Sequence, residues 1–337
     1  MKLPIHNTAG LAFLAGIALS TPAFAVVTID YVTVGNAGNA ADPADGDQNT
    51  AGVQNFGRVD YAYQIGKNEV TISQYAEFLN NAAKTDTHGL WNSRMGSNAN
   101  IAGITRGGNS GSFSYSVTGS GLRPITFVSW FDAARFTNWM HNGQGSGSTE
   151  TGAYTLNGNI GLPIRNLGAN VWIPSENEWY KAAYYDPTKG GTGGYWLHAN
   201  QSDSMTSNNF ADPGAANYGA GDFATTPGND AYSWSQNYLT DVGAYGLDSE
   251  SSYGTNDQAG NVWEWNDAVI GSSRGLRGGS WLNYSVNLPA SYRFDFSPSD
   301  EGSFAGFRVA SVPEPSALLL TLIAASVSLT RRRRSPL

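Results

Sequence analysis

The chain has 337 residues, 40% of them apolar and only 14% charged, with a formal net charge of -8 and a pI near 4.9. That is enough apolar material for a core in one large domain or two small ones, and the acidic balance, with no basic stripe to neutralise phosphates, argues against nucleic-acid partners. Cysteine is absent, which removes disulfides, thiolate nucleophiles and every cysteine-based metal site, and the four histidines (His6, His88, His141, His198) stand too far apart to form a local metal-binding pair.

Residues 1–25 combine Lys2, the apolar stretch LAFLAGIALS and the small-x-small run Ala23-Phe24-Ala25, the pattern of an export signal. Residues 26–56 are rich in Gly, Ala, Asn and Asp and read as an N-terminal strand, with alternation at Val32 and Val34, followed by an acidic loop. Asp42, Asp45 and Asp47 crowd this loop without the spacing of an EF-hand. Three helices then declare themselves by their starts. Thr71 to Gln74 is a capping box followed by Tyr75, Ala76, Leu79 and Ala82 at helical spacing; Ser129 to Asp132 opens a second, with Trp130, Ala133, Ala134, Thr137 and Met140 on one face; Ser175 to Glu178 opens a third, with Trp179, Ala182 and Ala183 turned inward.

After Tyr185 the helical period disappears, and about 125 residues of Gly, Asn, Ser, Asp, Tyr and Trp follow with brief strand signals at Val262–Trp265 and Phe307–Ala310. Such a stretch must be ordered by something other than regular ladders; buried Trp196, Trp234, Trp263, Trp265 and Trp281 and bound ions are the candidates. The C-terminus, residues 312–337, joins Pro313-Glu314-Pro315 to an apolar run from Ala317 to Leu329 and to Arg331–Arg334. As a helix that run would cover about 20 Å, against roughly 30 Å of hydrocarbon, a short transmembrane segment at most.

This order of triplet, apolar run and arginines resembles the PEP-CTERM sorting signal. The resemblance implies a bacterial precursor held transiently in the inner membrane, arginines inside, with exosortase processing and delivery to the surface or the exopolysaccharide matrix. A plain C-terminal membrane anchor is the competing reading.

Six segments in order, EVTISQYAEFLN, RPITFVSWFDAARFTNWM, WIPSENEWYKAAYYDP, YGTNDQAGNVWEWND, LRGGSW and GFRVA, resemble the formylglycine-generating enzyme, or sulfatase-modifying factor, superfamily over residues 57–311. The resemblance implies an α+β domain of C-type-lectin-like outline with few regular elements, three helices and short antiparallel strands. It also implies calcium. The first site maps to Asp257, the carbonyls of Gly260 and Val262, and Glu264, hard oxygen donors in a tight loop. A second maps to Asn217, the Tyr218 carbonyl, Asp230 and the Tyr232 carbonyl. The competing reading of the first set is that Asp257 caps a turn and Glu264 pairs with an arginine such as Arg308.

Family members that oxidise a sulfatase cysteine hold copper with two cysteines just after the Gly-Gly-Ser motif; the matching positions here are Asn283 and Leu288, which cannot bind Cu(I), so no copper is expected. Iron-dependent sulfoxide synthases of the superfamily carry their metal histidines on a further domain, and a branch acting in pyoverdine maturation works without the cysteine pair. No catalytic residue is assigned. Ser285 as a nucleophile lacks a histidine base. The stretch from Arg277 to Phe294 instead offers Trp281, Asn283, Tyr284, Asn287, Tyr292 and Arg293 as candidate ligand contacts for a glycan, exopolysaccharide or peptide, while Arg277, Arg293 and Arg308 also suit internal pairing. The expectation is an exported, calcium-stabilised binding or structural module; the alternative is a modifying oxidoreductase with a non-cysteine active site.

Overall fold

In the computed structural model, which describes residues 26–43, 55–204, 207–219 and 232–313, each expected helix start forms a capping box. Helix α1 spans Ile72–Ala82, α3 Trp130–His141 and α4 Glu176–Tyr184, and a single-turn α2 (Arg94–Ser97) is added to the three read from the sequence. At each start the Thr71, Ser129 or Ser175 hydroxyl accepts the backbone N–H three residues on, and the Gln74, Asp132 or Glu178 side chain accepts the cap N–H in return. The apolar face of α1 behaves as its spacing predicts, burying Ile72, Tyr75, Ala76, Phe78 and Leu79. Helix α3 differs. It is buried on all sides from Trp130 to Trp139, because it runs through the middle of the domain, and its polar residues are matched inside: Arg135 donates to Glu150 (2.6 Å) and Asn159 (2.9 Å), and Asn138 donates to the Thr149 and Tyr154 carbonyls.

The strands are short: β1 (Tyr31–Val34), β2 (Tyr63–Gly66), β3 (Ile104–Gly107), β4 (Ser114–Val117), β5 (Val171–Trp172), β6 (Tyr185–Asp186), β7 (Gly194–Tyr195), β8 (Trp263–Ile270), β9 (Ser273–Arg277), β10 (Phe294–Phe296), β11 (Ala305–Gly306) and β12 (Ala310–Ser311). One antiparallel sheet runs β1-β2-β12-β5, so residues 26–43 join the domain rather than preceding it. A second runs β10-β9-β8-β11, with only the β8–β11 pair parallel. Hairpins β3–β4 and β6–β7 complete the set.

The strand signal at Phe307–Ala310 resolves into a break. β11 ends at Gly306, and Phe307, Arg308 and Val309 enter the core before β12 begins. Phe307 meets Phe136 edge-on at 5.4 Å, within a ring cluster that continues through Phe78, Tyr75 and Trp139 between α1 and α3.

The irregular half is held by tryptophans that pack with their rings and anchor with their N–H. Trp265 donates to the Val128 carbonyl (2.9 Å), Trp281 to the Ser303 carbonyl (3.0 Å) and Trp179 to Glu264 (2.8 Å). Two expected members do not contribute in this way. Trp234 is 82% exposed, touching the edge of Tyr232, and Trp196 is only half-buried, its ring beneath the Lys189 ammonium, although its N–H still anchors on Asp186 (3.1 Å).

The chain crosses itself most closely at Gly260, whose N–H donates to Gly278 (2.8 Å) and which bridges Asn217. Gly260 has φ of +89°, and a Cβ there would lie 2.2 Å from the Asn217 carbonyl oxygen; Gly190, left-handed at φ +66° and ψ +10°, has open space around it. Gly190→Ala should therefore cost about 1 kcal/mol for its backbone conformation alone, whereas Gly260→Ala should cost about 3 kcal/mol or more because steric overlap is added. Urea denaturation of both variants checks this; equal losses would contradict the close crossing.

Candidate functional site

Two glycines set up the site. After β9 the chain turns at Gly278 and Gly279, with φ of +102° and +75°, and a Cβ at either would press on Trp179 or on Leu288. The following loop is pinned at three points before it returns as β10. At its start Trp281 enters the core and stacks on Tyr238, centroids 5.3 Å apart and planes within 6°. In its middle the Asn283 side-chain oxygen accepts from Trp263 Nε1 (2.8 Å) and from the Ser280 hydroxyl (2.6 Å). Near its end Arg277 donates to the carbonyls of Ala290 (2.7 Å) and Tyr292 (3.1 Å).

What remains between loop and sheet is a cavity of about 210 Å³ lined by Trp263, Leu282, Asn283, Asn287, Tyr292, Phe294 and Phe304. Trp263 forms its floor, with the Tyr292 and Phe294 rings 5.8 and 5.5 Å away at angles of 39° and 37°. Of the six residues the sequence offers as ligand contacts, Asn283, Asn287 and Tyr292 line this cavity. Trp281 is a core residue, because its indole is committed to Tyr238 and Ser303. Arg293 turns toward Glu176 (2.6 Å), and Tyr284 is exposed outside the lining. Trp263, Leu282, Phe294 and Phe304 are lining residues the sequence reading did not select. The alternation of Phe294 and Phe296 was the available signal for one of them.

The three arginines all make internal pairs. Arg277 donates to Glu176 Oε1 (2.8 Å), so Glu176 joins Arg277 and Arg293 while both guanidinium groups lie over the Phe56 ring. Arg308 is wholly buried and spends all five N–H donors: two on Glu264 (2.5 and 2.6 Å), and the rest on the carbonyls of Gly66 (2.9 Å), Lys67 (3.0 Å) and Asn256 (2.8 Å).

Beside this pair lie two more buried carboxyls. Neither oxygen of Glu69 meets an N–H or hydroxyl donor, and Asp257, at φ +59°, accepts from the Gly243 N–H (2.6 Å). Burial first, then the charges of Asp257 and Glu264, hold the Glu69 carboxyl well above the usual range; burial likewise pushes Asp257 up to about 6. Three carboxylates against one guanidinium leave two uncompensated negative charges, and a medium this dry must neutralise them with protons or with a cation.

Residues 25–312 match the family described as the sulfatase-modifying factor enzyme 1-like domain. The chain belongs to that family. Hercynine oxygenase of Mycobacterium tuberculosis (strain ATCC 25618 / H37Rv) is 24% identical over 277 residues, covering 74% of this chain and 52% of that protein, so the chain spans about half the length of this relative. Among solved structures, Treponema denticola variable protein 1 superposes with a TM-score of 0.50 at 19% identity, covering 86% of this chain and 97% of its own. CarF gives a TM-score of 0.46 at 22% identity, covering 86% and 100%. The fold is that of the formylglycine-generating-enzyme-like proteins, α+β with short, mostly antiparallel strands.

Asn283, which the resemblance sets opposite a copper-binding cysteine, holds the Trp263 indole, and Leu288, set opposite the other, is fully buried against Gly279. The family's calcium can be tested against the buried carboxyls. Among the described residues no three acidic or histidine side chains converge closely enough to hold a metal ion by themselves. Of the first mapped set, Glu264 gives both oxygens to Arg308 and one of them also to Trp179, which is the competing pairing, so it is not available as a ligand. Asp257 and the unmapped Glu69 are the acidic side chains that would hold a cation with the Gly260 and Val262 carbonyls, and two missing positive charges are what a divalent cation supplies. At the second mapped site the Asn217 amide donates to the Tyr238 carbonyl and to Asn261, the Tyr218 carbonyl accepts from Asn208 (2.9 Å), the Tyr232 hydroxyl contacts Asn100, and Asp230 lies outside the described residues.

Breaking one partner of the Arg308 pair leaves the other charge buried. Glu264→Gln should cost about 3–5 kcal/mol, and Arg58→Ala, which removes the exposed pair with Asp60, no more than about 0.5 kcal/mol. Denaturant midpoints of the two variants provide the check, with a small loss at Glu264 being the result that contradicts the buried-pair description.

Proposed function

We propose that the chain is a binding or structural module of the sulfatase-modifying factor family, stabilised by calcium and exported to the cell surface or matrix. The observation that carries this reading is the lining of the loop cavity: four aromatic rings, one leucine and two carboxamides, with the Tyr292 phenol as its one titratable group and no carboxylate, imidazole, amine or thiol among them. Rings supply rigid apolar faces on which sugar or peptide groups stack, and amides supply hydrogen bonds of either sense, the chemistry of recognition rather than of bond breaking. A glycan, exopolysaccharide or peptide is the ligand class this suits. Export rests on the sequence of residues 1–25, and surface delivery through an exosortase on the tail; residues 1–25 and 314–337 lie outside the described residues.

The second reading is an oxidoreductase or other modifying enzyme with a non-cysteine centre, and the likeness to hercynine oxygenase favours it. Elemental analysis of the purified protein together with oxygen uptake in the presence of a thiol peptide separates the two. The module reading expects neither a stoichiometric redox metal nor turnover, and both together would replace it.

Two further outcomes are expected. Tyr292→Ala combined with Asn287→Ala should lower glycan-array or matrix binding at least about tenfold with the near-ultraviolet circular dichroism unchanged; undiminished binding would move the site elsewhere. EGTA should lower the melting temperature of the wild-type protein, and Asp257→Asn, which keeps the left-handed backbone while removing the charge, should erase most of that response. A melting temperature indifferent to EGTA would leave protons as the neutralising agent.

A further inference from the structure

The loop that leads into β5 carries three large aliphatic side chains in water: Ile160 and Ile164 are each 77% exposed and Leu167 fully so. Leu167 shares a groove of about 390 Å³ with Tyr61, Arg165, Trp172, Val312 and Pro313. The chain leaves the described structure through this groove: β12 ends at Ser311, and the Val312 N–H donates to the Asn170 carbonyl (3.3 Å) at the end of the same loop. Beside it, Arg165 lies over the Trp172 ring (4.5 Å) and donates to Glu178 (3.1 Å) and to the Tyr61 hydroxyl (3.3 Å), while the Tyr61 ring is partly exposed. A fully exposed leucine, with an aromatic hydroxyl and a guanidinium lining the same groove, gives the order of groups met on passing from hydrocarbon to headgroups.

The position of this patch relative to the tail decides its partner. Only three residues separate Pro313 from the apolar run that begins at Ala317, a reach of at most about 14 Å in fully extended chain. The headgroup layer on one side of a bilayer is roughly 5–8 Å thick. If Ala317–Leu329 enters the hydrocarbon, Pro313 is therefore held at or just outside the headgroups, and Leu167, across the groove from it, is held at the same depth.

We propose that the loop of residues 160–167 is a lipid-contacting surface, which seats the domain on the bilayer while the C-terminal run anchors it. The inference rests on the reading of that run as a membrane anchor. The protein's net negative charge offers anionic headgroups little attraction, so the contact is apolar and leaves when the anchor is removed.

The absence of cysteine makes the test direct. Single variants Leu167→Cys, Leu247→Cys and Leu320→Cys of the full chain are labelled with a nitrobenzoxadiazole dye and reconstituted in vesicles of phosphatidylethanolamine and phosphatidylglycerol, 3:1 by mole, with and without doxyl-labelled lipid; Leu167 and Leu247 are both exposed, and Leu247 lines no part of the groove. The expected result is blue-shifted emission and at least twofold quenching by doxyl lipid at positions 167 and 320, with position 247 remaining aqueous. Quenching at 320 but not at 167 overturns the proposal and leaves the anchor reading standing. Protection of 167 from iodide without doxyl quenching assigns the patch to a second protein surface and also overturns it. Absence of lipid quenching at both positions removes the anchor reading together with the proposal.

Discussion

Arg308 fixes where the rest of the domain can be. A guanidinium without water must satisfy five donors in one plane, and here they reach Gly66 and Lys67 at the end of β2, Asn256 before the glycine crossing, and Glu264 inside β8. Removing two charges from water consumes much of what their attraction returns, so the pair contributes more to specifying the arrangement than to overall stability. The surplus carboxyls of Glu69, buried, and Asp257, on a half-buried residue, follow from this, since the same closure draws both in and leaves them short of positive charge.

The loop after Gly279 is positioned from within the chain. The pins that position the loop are a ring stack on Tyr238, neutral hydrogen bonds and an arginine donating to backbone. With Asn283 occupied by Trp263 and Leu288 packed beneath the turn, the cavity mouth is defined by ring faces and amide edges.

Local rules were legible in the sequence and distant ones were not. The capping boxes at Thr71, Ser129 and Ser175 involve residues three apart, so their chemistry is written next to itself. The segments around GNVWEW and RGGSW announced the family and hence the fold. Which tryptophan faces a cavity and which faces the core was not readable, because Trp263 and Trp281 differ only in their neighbours: Asn283 twenty residues away for one, Ser303 for the other. The burial of α3 on every side escaped for a related reason, since Arg135 and Asn138 look solvent-facing until Glu150 and the Thr149 carbonyl are brought to them. Likewise the sequence placed Asp257 and Glu264 together but gave no hint of Glu69, which approaches from almost two hundred residues away.

The position of β12 carries a consequence for biosynthesis. This two-residue strand lies inside its sheet, between β2 and β5, and Arg308 precedes it by only two positions. The partners that wait for it begin at Tyr63, so nearly the whole domain must have left the ribosome before its central sheet can close. A nascent chain arranged in this way cannot close this sheet until β12 has been made, so closure of the sheet waits for the synthesis of everything between β2 and β12.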